Sequence, residues 1–347
     1  MTIYQDLGLQ RIINASGRMT ALGVSVAAEE TAEALKEASK NFVDVAALID
    51  AAGKRIASYT GGADSCPTAG AAAGIAIAVA GCIARGSLTI TQLLPNASGL
   101  PNEVIIQKGH SINFGAPVSQ MIALGGGIPV EIGFANNTHE DNLREAITDK
   151  TAAIFYVKSH HCVQKGMISL EKMVMIGKEA HTPVIVDAAA EEDLRRYIAM
   201  GADLVIYSGS KAIEGPVSGF ITGDADLIAS CKMQYYGIGR TMKIGKEGII
   251  GLLKALELYE QKSVSEVRDR EMQKLNLIKT QLQAIEGLTC TIHQDPAGRA
   301  IDRLRISIDP DVAGMNIEEL IKKLSDGPIS IRTRNHLVNL GMLEIDP

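Results

Sequence analysis

The chain has 347 residues, 46% of them hydrophobic, and a formal net charge of −6. That length buries a sizeable core and divides into about two domains, and the acidic balance excludes a protein built to bind polyanions non-specifically, so nucleic acid is not an expected partner. Five scattered cysteines without CxxC spacing exclude a disulfide framework or a zinc knuckle and fit a reducing cytoplasm.

In chain order, residues 1–30 read as an N-terminal arm, in which MTIYQDLGLQRIINASG has no basic stretch followed by an apolar run, so no export signal is expected. Residues 31–245 read as a large domain and 246–347 as a smaller one. SCPTAGAAAG (65–74) is a small-residue loop opening a helix over 69–84. This Ala- and Gly-rich helix falls short of the roughly 20 residues of a membrane span and suits burial on all sides. Strands are predicted at EVIIQK (103–108), IPVEIG (128–133), AAIFYVK (152–158), PVIVDA (183–188), DLVIYS (203–208) and GFITG (219–223). Helices are predicted at 115–124, at 138–147 with Thr138 and Asp141 in capping-box spacing, at 169–181 opened by SLEK, and at 191–200. Continuous apolar strands alternating with helices predict an α/β fold. Its largely parallel sheet is covered on both faces, and ligands gather beyond the carboxyl ends of the strands. After 245 come a long amphipathic helix (about 246–283), short strands TCTIHQ and RLRISID, a helix at NIEELIKKL (316–324) and a closing SIRTRNHLVNLGML, together a small α+β domain.

Four residue sets carry chemistry. In DLVIYSGSKAIEGPVSGF (203–220), Lys211 follows an apolar strand among small residues, where desolvation makes an amine available for imine formation. The alternative is a lysine on a surface loop. Asp187, closing PVIVDA, lies at the ligand-binding edge of a parallel sheet. There a carboxylate holds a proton on a heterocyclic nitrogen, such as the pyridinium of pyridoxal phosphate, or simply caps the next helix. Its separation from Lys211 (211 − 187 = 24) leaves room for one helix and one strand. In the 65–74 loop, free N–H groups and the hydroxyls of Ser65 or Thr68 form an anion cradle, to which Ser208 and Ser210 add hydroxyls; an ordinary helix start is the alternative. Lastly, His110 in GHSINFG (109–115), or Phe114, can stack on a cofactor ring, unless it is a structural histidine. Each signal is weak by itself, but their order and combination describe a pyridoxal 5'-phosphate site.

Six segments, INASGRMTALG (13–23), TGGADSCPTAGAAAG (60–74), VKSHHCVQKGMISLEKM (157–173), PVIVDAA (183–189), YSGSKAIEGPVSGFITG (207–223) and GRTMKIGKEGIIGLLKALELY (239–259), span most of the chain. In that order they resemble the selenocysteine synthase-like branch of fold-type I pyridoxal phosphate enzymes, and within it the D-glucosaminate-6-phosphate ammonia-lyases. The lysine segment is specific to the family; the glycine-rich loop is not. The resemblance implies a transferase-like large domain with a mainly parallel sheet sandwiched by helices. It also implies Lys211 as the Schiff-base lysine, Asp187 as the pyridinium partner, and Thr68, Ala69 and Gly70 as phosphate contacts. Such sites are commonly completed by a neighbouring subunit, which implies a homodimer or higher homo-oligomer. INASG begins at residue 13 and leaves no room for the N-terminal transfer-RNA-binding domain of selenocysteine synthases, and another helix is expected after LGMLEIDP.

The expectation is a cytoplasmic lyase that converts an anionic, phosphorylated amino sugar acid to a 2-keto-3-deoxy acid phosphate and ammonia. Lys211 would move the Cα proton, and His161, His160 or Lys211 would assist loss of the C3 hydroxyl. Arg332 or Arg334 would grip the substrate carboxylate as a fork, and Arg18, Arg240 and Lys243 would receive the substrate phosphate, although each alone reads as a surface charge. No metal, membrane or nucleic acid is called for. The SxxK at Ser208–Lys211 with SIN (111–113) also suggests a penicillin-recognising serine hydrolase, against which stand the missing KTG and export signal. A related transferase on another amino acid, or a non-catalytic binding protein, is the remaining alternative; the presence of both Lys211 and Asp187 opposes the latter. Gly245-Lys246 is no P-loop, because Arg240 stands where its first glycine belongs.

Overall fold

The structure, a computed structural model, describes residues 2–159, 161–294 and 301–347. The chain divides into two compact units, Val26–Glu260 and Met1–Ser25 with Gln261–Pro347. Its strands are β1 (Ile12–Ala15), β2 (Asp64–Thr68), β3 (Glu103–Gln107), β4 (Ile128–Ile132), β5 (Thr151–Val157), β6 (Val184–Asp187), β7 (Leu204–Ser208), β8 (Gly219–Gly223), β9 (Leu288–Gln294), β10 (Asp302–Ile308), β11 (Ser330–Thr333) and β12 (Met342–Ile345).

Seven of them form the sheet of the larger unit, in the order β2-β8-β7-β6-β5-β3-β4. β7, β6, β5, β3 and β4 run parallel, and β8 runs antiparallel to both β7 and β2. The six predicted strands all form. β2, read from sequence as part of a loop, is a seventh. It contains Pro67, which an edge strand accepts because its missing N–H faces no neighbour.

Successive side chains alternate between two cores. Ile105, Ile154, Val186 and Val205 turn to one face, where Ile56, Met173 and Leu252 bring in the helices Val45–Thr60, Leu170–Glu179 and Lys246–Gln261. Val104, Phe155, Ile185 and Ile206 turn to the other, under the helix Ala71–Ala84. That helix is buried without a break from Gly74 to Ala84, as its composition predicts. Gly74 permits the approach, since a Cβ there would lie 2.9 Å from Ile206 Cγ2.

Three elements differ from expectation. The helix predicted at 191–200 shrinks to Arg196–Ala199 because residues 188–195 hold a bonded loop. The predicted capping box at Thr138 and Asp141 is made one residue later, by His139 and Asn142. The long helix predicted over 246–283 breaks into Lys246–Gln261 and Val264–Leu282, the second capped by Ser263. The two units meet in sequence at this break. Leu252, Ala255 and Leu256 pack into the larger unit's core, so the first half belongs there and not with a domain starting at 246. The N-terminal residues group with the smaller unit, since β1 pairs in parallel with β11 from Ile12↔Ser330 to Ala15↔Thr333. The smaller unit adds an antiparallel sheet β12-β10-β9 over a core of Leu275, Leu304, Ile306, Ile317 and Leu343. No described helix is long and apolar enough to cross a membrane.

Candidate active site

Sheet register positions the site. Because β8 opposes both neighbours, the carboxyl ends of β2 and β7 share one edge, and Thr68 and Ser208 both pair with Gly219. Asp187 pairs with Ile206 on one side and Val157 on the other. Cys66, Ile185 and Ile206 face the core under helix Ala71–Ala84, so Thr68, Asp187 and Ser208, each two residues further on, face that side too.

Thr68, Ala69 and Gly70 join β2 to this helix. Thr68 Oγ1 donates to the Gly70 carbonyl (2.9 Å), and no side chain caps the first turn, whose N–H groups stay open to an anion. A Cβ on Gly219 would sit 2.6 Å from the Gly70 carbonyl carbon and 2.7 Å from Ala71 N. Only glycine there lets the helix start reach the sheet edge. Ser208 and Ser210, both buried, hold their hydroxyls 3.3 Å apart beside it.

Residues 209–218 fold back on themselves. Gly209 N–H donates to Ser218 O (2.9 Å), Gly215 N–H to Gly209 O (2.8 Å), and Glu214 takes a left-handed φ of 58°. On this loop Lys211 is half-buried, and its amine has no hydrogen-bond or ion-pair partner among the described residues. Its charge still reaches Asp187. Asp187 is 7% exposed, and among the described residues the only hydrogen bond to its carboxylate comes from Ala189 N–H to Oδ1 (3.1 Å). Burial pushes this carboxyl up to about 6, against the Ala189 bond and the Lys211 charge, which both pull it down.

His110 is 0% exposed. Val157 N–H donates to its Nδ1 (3.2 Å), and its ring meets Tyr156 edge-on at 4.6 Å. Its Nε2 lacks a hydrogen bond of normal geometry among the described residues. Burial first and the Lys158 charge second hold its pKa at about 4, so the ring is neutral near pH 7. Phe114, the other ring-stacking possibility, is half-buried. His161 is exposed on the loop after β5, where its N–H donates to Ser159 Oγ (3.2 Å); His160 lies outside the described residues. Arg240 and Lys243 are exposed in the larger unit. Arg18 and Arg332 are exposed in the smaller one, Arg332 opposite Asn14. The larger unit by itself therefore gathers Lys211, Asp187, Thr68, Ala69, Gly70, Ser208 and Ser210 at one edge.

Sequence reasoning passes over several contributors. Ala189 and Gly219 act through backbone or through having no side chain, and residue type gives no hint of that. Gln107 brackets Ile168 as a peptide would, with Nε2 donating to its carbonyl (3.2 Å) and Oε1 accepting its N–H (2.7 Å), which ties the loop after β5 to the edge. Cys162 lies within reach of the Asp187 charge, which adds to burial in pushing its thiol up to about 12. A cleft of about 480 Å³ at the opposite, amino edge, lined by Arg85, Lys178, His181 and Asp203 among others, contains none of these residues.

The site fits pyridoxal 5'-phosphate: an unpartnered amine for its aldehyde, a buried carboxylate with a free oxygen for its ring nitrogen, and N–H groups and hydroxyls for its phosphate. Along the whole length, the chain is 47% identical over 345 residues to the D-glucosaminate-6-phosphate ammonia lyase of Salmonella typhimurium, covering 99% of this chain and 92% of that one. It is 43% identical over 346 residues to a 5'-C-glycyluridine monooxygenase-decarboxylase of a Streptomyces species, covering 99% and 87%. A solved D-glucosaminate-6-phosphate ammonia-lyase superposes with a TM-score of 0.94 at 46% identity, covering 100% of this chain and 93% of that one. An aspartate aminotransferase from Thermotoga maritima, at 15% identity, TM-score 0.54 and coverage of 99% and 88%, shares the fold alone. The model of the L-seryl-tRNA selenium transferase family, SelA, matches residues 12–315. The chain belongs to that family, and its fold and cofactor are those of the fold-type I pyridoxal 5'-phosphate enzymes.

Proposed function

We propose that the protein is an ammonia-lyase acting on a phosphorylated amino sugar acid of the D-glucosaminate 6-phosphate type. The observation that carries this reading is the Lys211 amine, unpartnered among the described residues and close enough for its charge to reach the buried Asp187 carboxylate, in a chain 47% identical along 99% of its length to an enzyme named for that reaction. Held by Lys211, the cofactor supplies an electron sink for the pair left at Cα when its proton departs. Asp187 keeps a proton on the ring nitrogen; Thr68, Ser208, Ser210 and the first N–H groups of helix Ala71–Ala84 hold the phosphate. The Lys211 amine, once free, would take the Cα proton and deliver a proton to the leaving C3 hydroxyl, with His161 as the second acid. One water leaves with that step, and one water returns when the released enamine hydrolyses, so the balance is substrate to 2-keto-3-deoxy acid phosphate plus ammonia. Arg240 and Lys243, exposed and without ion-pair partners among the described residues, offer charge for the substrate phosphate.

A homo-oligomer completes this reading. Val26 and Phe42 are almost wholly exposed, and Val43 and Val45 are nearly half exposed, an apolar segment that a second copy would cover. The five free cysteines support a cytoplasmic location.

Purified protein is expected to release ammonia and 2-oxo acid in equal amounts from phosphorylated amino sugar acids, with or without oxygen. Turnover of serine or cysteine derivatives while every sugar acid stays inert would overturn the lyase assignment, and strict dependence on oxygen would point to chemistry of the kind named for the Streptomyces relative. Borohydride is expected to fix the cofactor on Lys211. Arg240→Ala is expected to raise KM for the phosphorylated substrate by roughly 10- to 100-fold, the worth of a hydrogen bond to a charged group, and to leave an unphosphorylated analogue unaffected.

A further inference from the structure

We infer that the hydroxyls of Tyr207 and Tyr259 are positioning groups for Asp187, acting through the loop 188–195 and the Ala189 N–H. This loop leaves β6 directly after Asp187, and its first three residues, Ala188, Ala189 and Ala190, have no side chain with which to anchor it. Ala189 carries the coupling. Its N–H donates to Asp187 Oδ1 (3.1 Å), near the long end of the normal range, and its carbonyl accepts Ser208 N–H (3.3 Å), just beyond it. Ala188 N–H ties the start of the loop to the Ile206 carbonyl of β7 (2.9 Å), and the stretch beyond Ala190 is clamped by side chains. Tyr259, from helix Lys246–Gln261, donates to the Glu192 carbonyl (2.7 Å), and Tyr207, from β7, donates to the Asp193 carbonyl (3.1 Å). Tyr197, from the short helix Arg196–Ala199, donates to the Glu191 carboxylate, and Arg195 forks onto Glu260 (2.7 and 3.1 Å). Three hydroxyls from three elements thus close on three consecutive residues.

Tyr207 lies on the face of the sheet away from Asp187 and Ser208, with its ring stacked on Phe220 at 5.3 Å. Any influence of Tyr207 on Asp187 runs through the loop. Among the described residues, the groups linked to Asp187 are the Ala189 N–H and, through charge, Lys211 from the loop after β7 and Cys162 from the loop after β5. Of these, only the Ala189 N–H rests on the clamp. Releasing the clamp weakens that hydrogen bond, which favours the ionised carboxylate, so Asp187 titrates at higher pH. The clamp's bearing on catalysis rests on the assignment of Asp187 to the ring nitrogen; the ionisation of Asp187 in cofactor-free protein does not.

The double variant Tyr207→Phe/Tyr259→Phe keeps both rings and removes both hydroxyls. Unfolding free energy of the cofactor-free protein is measured from pH 4 to 8 in four forms: wild type, the double variant, and each with Asp187→Asn. The difference within each pair isolates the titration of Asp187. Its midpoint is expected to rise by about 0.5 pH unit or more in the tyrosine variant, and the pH at which the visible band of the cofactor-loaded protein changes is expected to rise with it. A uniform loss of stability with an unmoved midpoint would mean that the tyrosines are merely structural, and the inference would fall. Should the double variant not fold, Tyr259→Phe alone, on a half-buried helix position, is judged by the same midpoint. A moved midpoint in a protein without lyase activity supports the clamp and faults only the functional assignment.

Discussion

A carboxylate that is 7% exposed with one backbone hydrogen bond costs stability whenever it is ionised without a cation against it. In the folded chain Asp187 titrates at about 6, above its ordinary 3.8, so between these values the unfolded chain gives up its proton first. Stability of the cofactor-free protein therefore falls as pH rises through this window, by about 3 kcal/mol in all, and stays low above it. Asp187→Asn removes the fall. Without cofactor this variant is expected to exceed wild type in urea unfolding at pH 7 and to match it near pH 4, while its turnover drops about 100-fold or more. Equal stability at both pH values would mean that the carboxyl is not desolvated. Lys211→Arg keeps a cation and loses the imine-forming amine; it is expected to show no imine band in the visible and a rate lower by roughly 10²–10⁴ or more. Both residues were legible in the sequence because strand ends in an α/β fold are where chemistry gathers. Ala189 was not, since a backbone N–H belongs to every residue type but proline.

Among elements, the contact between β8 and the start of helix Ala71–Ala84 decides whether the N–H groups of that helix reach the sheet edge, as the proposed phosphate cradle requires. Gly219→Ala would push a methyl to within 2.6–2.7 Å of the Gly70–Ala71 backbone. The expected result is a loss of about 1–3 kcal/mol, as for an overpacked core, and cofactor affinity weakened by more than the loss of stability alone explains. Normal affinity measured by fluorescence titration would show that the helix start does not hold the phosphate. The long apolar strands of the parallel region were readable as runs, because burial on both faces leaves no polar alternation. β2 was not, because DSCPT pairs small polar residues with a proline and mimics a loop. The break at 262–263 was hidden for a different reason: Lys262 and Ser263 suit an exposed helical turn as well as a cap, and amphipathic periodicity resumes beyond them.

For the whole molecule, the fully exposed Phe42 is the sharpest sign of a further surface to be covered. Burying such a side chain contributes about 1.5–3 kcal/mol, so Phe42→Asp is expected to shift the protein to a smaller species in analytical ultracentrifugation. An unchanged mass would mean that no second copy covers this segment. The sequence by itself determined the α/β class, the order of the strands along the chain, and the lysine and aspartate at strand ends, because these follow from local apolar periodicity and from residue types with few other uses. Only the tertiary structure decided that β8 runs antiparallel and so brings Thr68 and Ser208 to one edge. It alone showed that 1–25 joins the C-terminal unit through β1 and β11, and that three tyrosines meet on one loop. These depend on pairings between residues far apart in the chain, where many registers satisfy the same local pattern and only packing of the whole selects one.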